Sequence, residues 1–73
     1  MRFKTNLEKQ AFSIGIDEAN EKGYIVPAAH SDRMMSFIEE HSKSVGDCIP
    51  WLKAYNKGVA AEISRQTREE FCI

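Results

Sequence analysis

Two segments of the chain carry one pattern, AFSIGIDEA at residues 11–19 and AYNKGVAAE at residues 54–62. Each runs Ala, an aromatic, two variable residues, Gly and then a β-branched residue. Gly costs about 1 kcal/mol relative to Ala inside a helix. What it offers in return is the absence of a Cβ, so that a second backbone can come close. Gly15 and Gly58 each follow an aromatic by three residues, so Phe12 and Tyr55 lie beside them on the helix surface. The spacing predicts that a first and a last helix cross at the two glycines, with the two rings filling the space around the crossing.

The flanking sequence supplies the boundaries of those helices. In TNLEKQAFSIGIDEANEKG, Thr5 and Glu8 form a capping box ahead of a helix with Leu7, Ala11, Ile14 and Gly15 on one face. Gly23 suits the left-handed position that stops it. YIVPAA, with Pro27 holding Val26 extended, reads as a connector. HSDRMMSFIEEH reads as a second, shorter helix capped by Ser31 or His30, and Gly46-Asp47 marks the next break, with Asp47 as N-cap. From Cys48 onward Ile49, Leu52, Tyr55, Val59 and Ile63 form one long apolar stripe, with Pro50 tolerable in the first turn. The expected architecture is all-α: one domain over residues 1–73, a small bundle of two or three helices at roughly 6–22, 31–42 and 48–69.

A chain of 73 residues buries only about 60% of its unfolded surface, so part of its apolar content stays outside its own core. At 42% hydrophobic and 29% charged residues, the composition is that of a globular domain and not of a disordered one. MRFKTNLEKQ has no apolar signal region, and no run approaches a membrane span. Two cysteines, Cys48 and Cys72, fit a reducing compartment. The setting expected from these features is the cytoplasm of a bacterium or its phage.

Catalytic and metal chemistry find little to work with. Cys48 stands near a helix start, where a thiol is activated most easily, and His30 or His41 would be its base, but no third orienting group or oxyanion donor accompanies them. His30, His41, Cys48 and Cys72 lack the close pairing of zinc ligands. The reading is a non-enzymatic protein without metal or cofactor, His41 being a solvated or capping residue. Met34, Met35, Phe37 and Ile38 form an apolar cluster of the adaptable kind found at partner surfaces. The expected partner-binding set is Met34, Met35, Phe37, Ile38, Glu39 and Trp51, with Glu39 and Glu40 as rim charges. Its occupant would be a larger protein, inhibited or modulated by the contact, or a second copy of the chain.

An alternative reading places RNA on a basic face of the third helix formed by Lys53, Lys57, Arg65 and Arg68, with Trp51 or Tyr55 stacking on a base. WLKAYNKG together with QAFSIGIDEA resembles the bacterial ribosome modulation factors, with Trp51, Leu52, Ala54 and Tyr55 matching their tryptophan-led helix and Ala11, Gly15 and Ala19 their first helix. The resemblance implies association with the ribosome through that basic face. The net charge of −1 ranks it second to the protein interface.

Overall fold

The Thr5 hydroxyl accepts the Glu8 amide at 3.2 Å while the Glu8 carboxylate accepts the Thr5 amide at 3.0 Å, and this capping box opens helix α1, Asn6–Lys22. Gly23 closes it in the left-handed conformation, φ 76°, its amide bonded to the Ala19 carbonyl at 2.8 Å. The computed structural model of the chain describes residues 5–44 and 46–71, the last three as backbone only.

After the connector a single 3-10 turn, Ala28–His30, leads into helix α2, Asp32–His41. Ser31 caps α2, accepting the Met34 amide at 3.2 Å. Helix α3 runs from Ile49 to Phe71. The fold is therefore all-α among the described residues, three helices with the longest at the C-terminal side.

Asp47 departs from its expected role. It lies in the turn before α3, and its carboxylate faces backward to accept the amides of Lys43 at 3.0 Å and Ser44 at 3.1 Å. Those donors hold its carboxyl below the usual carboxylate range. It thus closes the loop behind α2 and leaves α3 to begin from a turn bond between the Ile49 amide and the Gly46 carbonyl at 3.3 Å.

The glycine pair fixes the main contact. A Cβ on Gly15 would run into the Tyr55 carbonyl and stand 3.1 Å from the Val59 nitrogen. One on Gly58 would run into the Phe12 carbonyl and stand 3.2 Å from the Ile16 nitrogen. The crossing is reciprocal, each glycine receiving the backbone of the other copy of the pattern. Further along, Asn20 of α1 donates to Glu62 of α3 at 3.0 Å, and Gln66 donates to the Ala19 carbonyl at 3.4 Å. Those later contacts show that α1 and α3 run in the same direction, residue 12 matching 55 and residue 19 matching 62 or beyond. Helix α2 returns the other way. Arg33 near its start faces Glu18 and Glu21, while Phe37 and His41 reach Trp51 near the start of α3.

The core lies between this parallel pair and α2. Ala11, Ala19, Met34, Phe37, Trp51, Ala54, Tyr55 and Val59 are buried in one cluster, with Leu7, Ile14, Ile38 and Leu52 packed at its edge. Alanines beside the glycines at 11, 19 and 54 keep the helices close along the seam, and large side chains from α2 fill the groove on one flank.

Candidate interaction surface

The core absorbs three of the five apolar residues that the sequence places at a partner surface. Met34, Phe37 and Trp51 are buried, the Phe37 and Trp51 rings meeting edge-on at 5.5 Å between centroids. His41, half-buried at the end of α2, meets Phe37 in a tilted ring contact with 4.7 Å between centroids. Met35, one position round the helix from Met34, is 41% exposed, Ile38 is half-buried and Glu39 is exposed. The six residues therefore do not form one surface: Met34, Phe37 and Trp51 are core, Ile38 packs at the edge of the core, and Met35 and Glu39 are exposed on α2.

The largest apolar exposure lies elsewhere. Tyr24 and Ile25, on the connector after α1, are 57% and 67% exposed. Between them and Pro27, Val26 turns inward and is buried. The Tyr55 hydroxyl donates to the Val26 carbonyl at 2.7 Å, tying the connector to the centre of α3. Burial raises the Tyr55 pKa, as does the nearby Glu18 carboxylate, while a hydrogen bond with Ser31 opposes them. The phenol thus stays a neutral donor over the physiological range. Two bulky side chains are held in water on a segment whose backbone is anchored to the core, and the dipeptide's only sequence signal was its apolar character.

The basic residues of α3 divide. Lys53, Lys57 and Arg68 are exposed on its outer side, together with Asn56, Ala60, Ala61, Ser64 and Thr67. Arg65 is committed to Glu62, which it contacts through both Nε, at 3.1 Å, and a terminal nitrogen. Glu62 is 5% exposed and also accepts from Asn20 and from Gln66 at 3.2 Å. Those donors, Arg65 foremost, hold its carboxyl down to about 2 against the desolvation that opposes them. This cluster bridges the ends of α1 and α3 and is satisfied within the fold.

The remaining candidates for chemistry are scattered. His30 is exposed on the 3-10 turn and Cys48 is half-buried before α3, while Cys72 and the side chains of Phe71 and Ile73 lie outside the described residues. Among the described residues no three potential metal ligands cluster, and no helix is long and apolar enough to cross a membrane. No family model matches the chain, and neither a curated protein nor a solved structure is similar to it.

Proposed function

We propose that this is a non-enzymatic interaction protein that binds a larger protein, with Tyr24 and Ile25 as the anchoring side chains. The observation that carries the reading is the pinned connector: two large side chains more than half exposed, on a backbone held by Tyr55. Exposed apolar groups on a small domain mark contact surfaces. Tyr is among the residues that dominate binding energy when buried at an interface. Because the connector is fixed beforehand, little ordering entropy opposes docking. Glu21, Lys22 and Arg33, close in sequence or space to the connector, would serve as rim charges that set orientation and association rate.

The test is capture from lysate with the wild-type chain and with Y24S/I25S, each shown by circular dichroism to be folded. A partner retained after nuclease and in high salt, and lost with the double variant, supports the reading. Met35→Lys should leave both the fold and that capture intact. Equal retention by wild type and Y24S/I25S would remove the connector from the interface.

A further inference from the structure

We propose that the partner docking on Tyr24 and Ile25 is a basic amphipathic helix, which lays apolar side chains on those two residues and Lys or Arg against Asp17, Glu21 and Asp32. The inference rests on the connector being the interface. The charges around the connector carry it. Residues 17–33 hold four acids, Asp17, Glu18, Glu21 and Asp32, against Lys22 and Arg33, while the whole chain has a net charge of only −1. Arg33 is shared by two of the acids, standing 3.9 Å from Glu18 and 3.4 Å from Glu21. That one guanidinium leaves the pair with a negative charge in excess, and Glu21 is the member exposed to water. Asp17 and Asp32 are also exposed, and neither has an ion-pair partner among the described residues.

The fold brings these carboxylates to the connector. Ser31 and Val26 meet at the Tyr55 hydroxyl, the first through a hydrogen bond with it and the second by accepting from it at 2.7 Å. Asp32 and Ile25, their neighbours in the chain, therefore flank that point, and both are exposed. Glu21 lies in the last turn of α1, three residues before Tyr24, with Asp17 one turn earlier on the same face. Those two carboxylates stand about 6 Å apart along the axis, the interval that Lys or Arg at positions i and i+4 keeps on a helix lying alongside. Lys22 is about 100° round α1 from that row. An exposed apolar pair bordered by carboxylates selects a cationic partner. RNA and anionic lipid carry the sign of the border and are repelled by it. A second copy of the chain would set the same carboxylates against one another, because a two-fold contact is made by one patch with itself.

The experiment titrates the full ¹⁵N-labelled chain with three probes: a synthetic helical peptide with Leu and Ala on one face and Lys on both flanks, the same peptide with Glu for Lys, and a scrambled Lys peptide of equal composition. The Lys peptide should shift the amides of Glu21, Tyr24, Ile25 and Asp32, and bind at least about tenfold more tightly than either of the others. Y24S/I25S should abolish those shifts. D17K/E21K, confined to exposed positions and leaving Glu18 to Arg33, should weaken the Lys peptide by at least about tenfold and favour the Glu peptide instead. Equal affinity for the Lys and Glu peptides, shifts centred away from the connector, or no shift at millimolar peptide would overturn the proposal. Shifts of Tyr24 and Ile25 that grow with concentration of the chain alone would also overturn it, and would assign the surface to a second copy. Lysate capture separates the two readings. If it is still lost with Y24S/I25S after any of these outcomes, the connector remains the interface and only the basic helix is removed; capture unaffected by that variant removes both.

Discussion

Tyr55 links three parts of the molecule through one side chain. Its backbone carbonyl meets Gly15, its ring is fully buried, and its hydroxyl holds the connector. Tyr55→Phe keeps the ring and removes the hydroxyl, leaving the Val26 carbonyl without its donor. The expected loss is about 1–2 kcal/mol in chemical denaturation, with faster amide exchange at Tyr24 and Ile25. Glu62 gives a second residue-scale prediction. Its folded pKa, about 2, lies below the ordinary value of 4.5, so the stability it contributes is complete above about 4.5 and is lost as pH falls through about 2. Asp47, also lowered, acts in the same direction. Denaturation midpoints followed from pH 6 to pH 2 should therefore fall, and Glu62→Gln should flatten part of that fall while lowering stability at neutral pH.

Among elements, the reciprocal crossing makes a sharper statement than either glycine alone. Gly15→Ala and Gly58→Ala each gain about 1 kcal/mol of helix propensity, yet each places a methyl group against a carbonyl of the neighbouring backbone. Backbone cannot turn aside as a side chain can, so each variant should be less stable by about 1–3 kcal/mol. Once one alanine has pushed the helices apart the second meets less resistance, and the double variant should lose less than the sum. Thermal denaturation of the four members of the cycle measures both. Much of this was legible in the sequence. The repeated pattern placed the crossing, and Thr5, Glu8, Gly23 and Ser31 placed helix ends, because capping is local chemistry. Which members of the Met34, Met35, Phe37, Ile38 and Trp51 set enter the core was not legible: periodicity puts residues on a face but does not say which neighbour covers it. Asp47 misled for a related reason, since a carboxylate beside a turn can accept amides from either side. The direction of α3 relative to α1 depends on the path of the intervening 26 residues, 23–48, which no local pattern encodes.

For the molecule as a whole, a small core leaves a division of roles. The α2 flank supplies the packing, while the connector carries the largest apolar groups that remain in contact with water. The parallel arrangement also has a mechanical consequence. Asn6 and Phe71 lie toward opposite ends of two helices that run side by side in one direction. Tension applied through the two ends of the chain therefore slides α1 lengthwise against α3, straining the glycine crossing and the Asn20–Glu62 bridge simultaneously. Tension applied at Asn6 and Ile49, which start the two helices at the same end, opens the pair one turn at a time. In an optical trap the first geometry should rupture at the higher force and in a single step: the domain resists being stretched along its axis far better than it resists being unzipped.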